Sequence, residues 1–162
     1  MNKFIKKGFT MIELLVVVSI IGILAALALV SFTGSQRQAR DAARKSDLKQ
    51  YSTALEGFAN KNNGLYPAYE VSAGTVASSS TGLCDDLEIN NCPEDPKNEV
   101  DATFYYKYQS DGTATNGTAV ATQYVLWGIL ENTDDYWVVC SNGQVGAMAQ
   151  TGFGVSGGSC PL

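Results

Sequence analysis

The sequence predicts an α+β chain in which a long N-terminal helix, a hydrophobic anchor followed by an amphipathic half, packs on a small antiparallel β-sheet. Three observations carry this. No proline occurs before Pro67, and the apolar run Leu14 to Val30 gives way to Leu48, Tyr51, Leu55 and Phe58, spaced by threes and fours on one helix face. The β-branched and aromatic runs Phe104–Tyr108, Gln123–Leu130 and Tyr136–Cys140, each bounded by turn residues, all come later. At 162 residues there is room for one such domain and its anchor, not for two sizeable cores.

Residues 1–8 read as a basic leader, with Lys3, Lys6 and Lys7 holding the extreme N-terminus on the cytoplasmic side of a membrane. Residues 9–32 form the hydrophobic helix, broken by a single carboxylate, Glu13. A charge inside such a span costs about 2.5 to 3.5 kcal/mol, so Glu13 needs a partner. Cutting between Gly8 and Phe9 supplies one, because the new α-amine of Phe9 lies four residues before Glu13, one turn away on the same face. The Phe9 amine of a neighbouring helix would serve equally well, which makes Glu13 a register pin for side-by-side packing. A secretory signal peptide would place a small-residue cleavage site after the apolar run. Ser31-Phe32-Thr33-Gly34-Ser35 has no A-x-A pattern, so the segment is expected to stay, with an ordinary signal anchor as the competing reading.

From Lys6 to Leu29 the residues Gly8-Phe9-Thr10-Met11-Ile12-Glu13-Leu14, followed by Val16-Val17-Val18-Ser19-Ile20-Ile21-Gly22-Ile23-Leu24-Ala25-Ala26, resemble the type IV pilin family without a gap. The resemblance implies that a prepilin peptidase cuts after Gly8 and N-methylates Phe9. It also implies insertion in the cytoplasmic membrane as a single pass through residues 9–32, then self-association into a helical filament at the cell surface with the help of a pilus or secretion assembly machinery. The family includes pili, competence pili and the pseudopilins of type II secretion, so a pilus subunit and a secretion pseudopilin both remain open. A membrane-anchored binding protein that never polymerises is the third reading. Many family members carry a proline where Val30 stands here, so Gly34-Ser35 is left as the soft point and any melting of the helix is expected near Ser31 to Ser35.

Residues 33–62 continue the helix. Arg37, Arg40, Arg44, Lys45, Lys49 and Lys61 outnumber Asp41, Asp47 and Glu56 there, whereas beyond Asn62 only Lys97 and Lys107 oppose a dozen acids, within an overall net charge of −5. A basic stalk thus precedes an acidic head. Attraction between the stalk of one subunit and the head of another follows, though exposed pairs contribute only about 0 to 1 kcal/mol each, and for any single charge a solvated helix face is the expectation. Asn62-Asn63-Gly64-Leu65-Tyr66-Pro67 should end the helix, with Gly64 in a left-handed cap. Ala54 to Tyr66-Pro67 also resembles the helix end of major pseudopilins and many pilins.

Residues 63–103 read as a surface loop between helix and sheet, near low complexity from Ser72 to Gly82, and residues 104–162 as the antiparallel sheet and C-terminal region. Asn142-Gly143 suggests a hairpin into a short strand near Gln144 to Gly146, and the meander is expected to bury one face against Leu48, Tyr51, Leu55 and Phe58. Cys84, Cys92, Cys140 and Cys160 form an even set in an exported chain, which allows three disulfide connectivities; the local pairs Cys84 to Cys92 and Cys140 to Cys160 are favoured. The second pair would resemble the disulfide-bounded C-terminal region of many pilins.

Enzymatic chemistry finds little material. There is no histidine, the cysteines lack a C-x-x-C pair, and no phosphate-binding glycine loop or metalloprotease motif occurs, so catalysis and zinc binding are not expected. No cofactor is expected; calcium is a weak candidate at Asp85, Asp86 and Glu88 or at Asp134 and Asp135, neither group having EF-hand spacing. Asn116-Gly117-Thr118 matches an N-glycosylation sequon, and Ser78-Ser79-Ser80-Thr81 offers hydroxyls for O-linked sugar. Tyr105, Tyr106, Tyr108, Trp127 and Trp137 read as core rather than as a ligand face. The acidity of the head disfavours direct nucleic-acid binding.

Overall fold

The computed structural model describes residues 8–69, 74–75, 82–101 and 103–162. Most of the leader, the tract Ser78–Thr81 and most of the low-complexity stretch lie outside the described residues. Helix α1 runs Met11–Lys61 without interruption, and the chain divides after Arg37 into two compact units, so residues up to Arg37 and residues from Gln38 onward are treated separately.

The second unit begins with the amphipathic part of α1. The helix ends as its sequence dictates: Asn63 and Gly64 take left-handed backbone angles, φ 57 and 81, and the Gly64 N–H donates to the Ala59 carbonyl at 2.8 Å. Beyond it come β1 (Tyr66–Pro67), β2 (Gly74–Thr75), a short helix α2 (Leu83–Asp86), β3 (Lys107–Ser110), β4 (Ala119–Ala121), β5 (Tyr124–Ile129), β6 (Tyr136–Cys140) and β7 (Val145–Met148). The main sheet is antiparallel in the order β2-β3-β5-β6-β7, and β1 pairs with β4 separately. The expected loop of residues 63–103 therefore contains three short elements.

The predicted strand at Phe104 starts three residues late. Phe104 is held outside the sheet because its ring is engaged by both the Arg44 guanidinium and the Lys97 ammonium, at 4.9 and 4.4 Å from the centroid, and its N–H closes a turn on the Asp101 carbonyl. The last strand is longer than expected and shifted, Val145–Met148.

Leu48, Tyr51 and Leu55 are fully buried, but the next contact on the stripe is Ala59, one position beyond Phe58, which is only half-buried. Steps of three, four and four follow 3.6 residues per turn more closely than three, four and three. The stripe packs on Tyr106, Tyr108, Tyr124, Leu126 and Val139. Gly128 in β5 faces the same way, and a Cβ there would come within 2.9 Å of the Tyr106 ring. Buried tyrosines keep their hydroxyls bonded: Tyr51 to the Pro93 carbonyl, Tyr106 to Asp47, Tyr108 to the Pro67 carbonyl.

The sheet buries both faces, not one. Val125, Trp127, Val138 and Cys140 on the far side form a second core, covered by Tyr136, Met148, Phe153, Val155 and Cys160. Phe153 lies 5.4 Å from Trp127 and 4.5 Å from Tyr136 between ring centroids. Two of the covering residues come from β6 and β7; the other three belong to the irregular tail after β7, which a disulfide from Cys160 to Cys140 fastens to the sheet. The other bridge, Cys84 to Cys92, closes the turn after α2. The Cys140–Cys160 bond closes a loop separated by 20 residues, for which chain entropy gives about 3 kcal/mol. Cys140→Ser with Cys160→Ser is expected to lower head stability by that order and to red-shift Trp127 fluorescence in the folded state as the tail loosens; chemical denaturation with an unchanged midpoint would exclude this.

Candidate processing and assembly site

Gly8, Phe9 and Thr10 precede the first helical residue and are exposed, which leaves the Gly8–Phe9 bond in non-helical, accessible backbone. Immediately beyond, the sequence Thr10-Met11-Ile12-Glu13 forms a capping box. Glu13 Oε2 accepts the Thr10 N–H at 2.8 Å and the Thr10 hydroxyl at 2.7 Å, and the Thr10 Oγ1 in turn accepts the Glu13 N–H at 3.3 Å. The carboxylate is thus bent back over the helix start, one residue from the Phe9 nitrogen that cleavage would free. The Thr-x-x-Glu spacing is itself a capping signature, and it is the signal by which Thr10 could have been singled out from the sequence.

Every residue from Met11 to Leu27 is exposed, Leu27 by 68% and Ile12 by 71%. Residues 8–27 make no contact that would shield them within their own unit, and an apolar surface this large marks insertion in lipid or packing among other helices. Among the described residues, α1 is the one helix long and apolar enough to cross a membrane.

In the second unit the structure assembles a cluster that was not anticipated. Arg44 is completely buried, contrary to the expectation of a solvated face. Its Nε and Nη2 grip Asp95 at 2.6 and 2.9 Å, Nη1 reaches Asp41 at 2.8 Å, and Nη2 also lies 2.7 Å from Glu131. Arg40 makes a second fork on Glu131, both bonds 2.7 Å, and Lys97 stands 3.7 Å away. Asp41 turns its two oxygens to the Glu131 and Asn132 N–H groups, at 2.8 and 3.0 Å, capping the turn between β5 and β6. Three cations meet three carboxylates, and helix, loop and turn are clasped at one point.

Hydrogen bonds from Arg40 and, against the cost of burial, from Arg44 hold the Glu131 carboxyl down at about 2. Burial acts to lower the Arg44 pKa, but Asp95, Glu131 and Asp41 more than offset it and the group is held above its ordinary value. For a carboxylate depressed on folding, the stabilisation is present above its unfolded pKa and is lost as pH falls through the folded one. Head stability is therefore expected to hold down to about the ordinary glutamate value of 4.5 and to fall between there and about 2. Acid titration followed by near-UV circular dichroism checks this, and the depressed step should vanish in Glu131→Gln.

The remaining candidates are dispersed. Asp85 and Asp86 lie on α2, where Asp86 accepts the Tyr69 hydroxyl, and Asp134 and Asp135 lie in the β5–β6 turn, with Asp134 at φ 56. Among the described residues no three Asp, Glu or Cys side chains gather as a metal ion would require. Tyr106, Tyr108 and Trp127 are core; Trp137 is half-buried beneath the Lys45 ammonium, 4.3 Å from its ring centroid.

Comparison with known proteins returns to the N-terminus. Residues 4–29 match the model of the prokaryotic N-terminal methylation motif. The chain is 33% identical over 99 residues to the type IV major pilin protein PilA of Myxococcus xanthus, covering 56% of this chain and 44% of that one. It is 32% identical over 102 residues to the type II secretion system core protein G of Aeromonas hydrophila, 59% of this chain and 71% of the relative. It is also 38% identical over 78 residues to the type IV major pilin protein PilE of Neisseria gonorrhoeae, 47% of this chain and 45% of the relative. The chain thus spans less than half the length of the two pilins. No solved structure matches. A methylation motif at the head of an exposed apolar helix, an α+β unit following it, and these relatives together place the chain in the type IV pilin and type II secretion pseudopilin family.

Proposed function

We infer that this chain is a structural subunit of a type IV pilus filament. It is held first in the cytoplasmic membrane by residues 9–32, cut between Gly8 and Phe9 and N-methylated on Phe9 by a prepilin peptidase, and then drawn by an assembly machinery into a fibre cored by copies of that helix. The observation that carries the reading is the capping box: Glu13 already points at the N-terminal edge of the helix, where the freed Phe9 amine of its own or a neighbouring chain would stand. Copies packed head to tail with a rotation that does not close grow open-endedly into a filament. The role is mechanical; the reading involves no catalysis, no cofactor and no nucleic acid.

Mass spectrometry of the exported protein tests the processing step. The expected N-terminus is methylated Phe9, and exported chains that retain residues 1–8 would defeat it. The greater share of the Aeromonas core protein G covered by this chain, 71% against 44% and 45% of the two pilins, favours a secretion pseudopilin as the second reading. Deleting the chain separates the two: loss of long surface fibres belongs to the first, loss of enzyme secretion without fibre loss to the second. An uncut leader together with monomeric extraction in detergent would point instead to an anchored binding protein.

A further inference from the structure

Asn116-Gly117-Thr118 is the single N-x-S/T sequence in the chain, and its three residues have separable explanations. Gly117 is accounted for by packing. It is buried at φ +74, and a Cβ there would fall 1.8 Å from the Asp86 carboxylate that receives the Tyr69 hydroxyl. The backbone around it is pinned as well: the Gly117 N–H donates to the Ala68 carbonyl at 3.1 Å and the Ala68 N–H to the Thr118 carbonyl at 2.9 Å.

The side chains of Asn116 and Thr118 have no such explanation. Both residues are exposed, and among the described residues their side chains bond only to each other and to their own backbone: the Thr118 hydroxyl donates to Asn116 Oδ1 at 2.6 Å, and the Thr118 N–H to the same oxygen at 3.4 Å. Nothing among the described residues accepts from Asn116 Nδ2, which is left to solvent on a loop held rigid from below. The carboxamide is therefore oriented, with its oxygen turned in and its nitrogen out.

We propose that Asn116 is an acceptor of N-linked oligosaccharide, delivered from a polyprenyl diphosphate donor by a membrane-bound oligosaccharyltransferase outside the cytoplasm. In the transfer, Nδ2 forms a bond to the anomeric carbon of the first sugar and the bond from that carbon to the diphosphate oxygen breaks. The lipid diphosphate leaves with the electron pair, and the amide proton passes to a carboxylate of the transferase. The Thr118 hydroxyl assists by drawing the amide density toward Oδ1, which makes the Nδ2 proton easier to lose. A serine hydroxyl can do the same; a valine of equal shape cannot. The site requires only that the head be exported, not that it assemble.

The chain has no Lys or Arg after Lys107, so trypsin releases residues 108–162 as one fragment with Asn116 near its start. Protein from the cells that naturally export it is expected to carry a sugar mass on that fragment, removable by peptide N-glycosidase. The mass should be absent in Asn116→Gln and Thr118→Val and retained in Thr118→Ser. A bare Asn116 on exported chains, or a sugar that persists in Asn116→Gln, would overturn the proposal. The same spectra report the leader, so a cut leader with bare Asn116 counts against the glycan alone, and an intact leader with a glycan counts against the processing alone.

Discussion

Glu13→Ala chains are expected to insert in the membrane as well as the parent, or better, and to yield almost no filament. The substitution removes a carboxylate whose presence in an apolar span costs about 2.5 to 3.5 kcal/mol, so nothing in insertion is lost. Assembly is a different matter. The Phe9 amine freed by cleavage would enter the fibre core with no counter-charge, and breaking a buried pair by deleting one partner costs about 3 to 5 kcal/mol. That loss recurs at every subunit. Alanine also removes the bonds to Thr10 that cap α1, so Glu13→Gln is the informative companion: glutamine can complete a capping box but carries no charge. Quantifying sheared fibres beside membrane-bound protein gives the answer. A fibre yield in Glu13→Gln close to the parent's would reduce Glu13 to a helix cap, and a normal yield in Glu13→Ala would remove it from assembly altogether.

Arg44→Ala should be the most damaging single change in the head. Alanine leaves Asp95, Glu131 and Asp41 gathered in a site where the Asp95 and Glu131 side chains are 1% and 6% exposed, with only Arg40 and Lys97 to answer them. A loss of about 3 to 5 kcal/mol follows from uncompensated buried charge. For a unit of this size that is a fall in Tm of roughly 10 to 20 °C. Lysine should restore little, since a point charge cannot bridge three carboxylates that the guanidinium reaches through three nitrogens. Thermal unfolding of the head measures both variants, and a shift of only a few degrees in Arg44→Ala would mean that water enters and screens the carboxylates. The deletion of one partner is the relevant comparison; replacing the whole cluster with apolar side chains could leave stability unchanged.

These two sites differ in how far the sequence announced them. Glu13 stood out because its surroundings are uniformly apolar, and Leu48, Tyr51 and Leu55 because a helix period repeats. Local signals sufficed there, as they did for Asn63-Gly64 and for β5 and β6. Arg44 gave no local signal. Its partner Asp95 is 51 residues away and the Arg40 partner Glu131 is 91 away, and an arginine among lysines on a helix looks solvated until the fold brings the acids to it. Phe104 was misplaced for the same reason, because it belongs to the cations of that cluster and not to the strand beside it. The second core was partly legible. The run Tyr124–Ile129 has no polar alternation, which is how a strand covered on both faces reads, and expecting one buried face ignored it. Ser78–Thr81 and most of the leader gave readings that the described residues do not reach.

The seal on that second core carries a timing consequence. Cys140 and Cys160 sit in a chain whose head is read as travelling outward, and thiols stay reduced in the cytoplasm but oxidise beyond it. The helix-facing side carries its own bridge at Cys84 and Cys92 and the tail side its bridge at Cys140 and Cys160, so neither core can be locked before crossing. A fastened tail is therefore a mark of arrival, and subunits waiting on the wrong side of the bilayer would be distinguishable from finished ones by nothing more than a thiol stain.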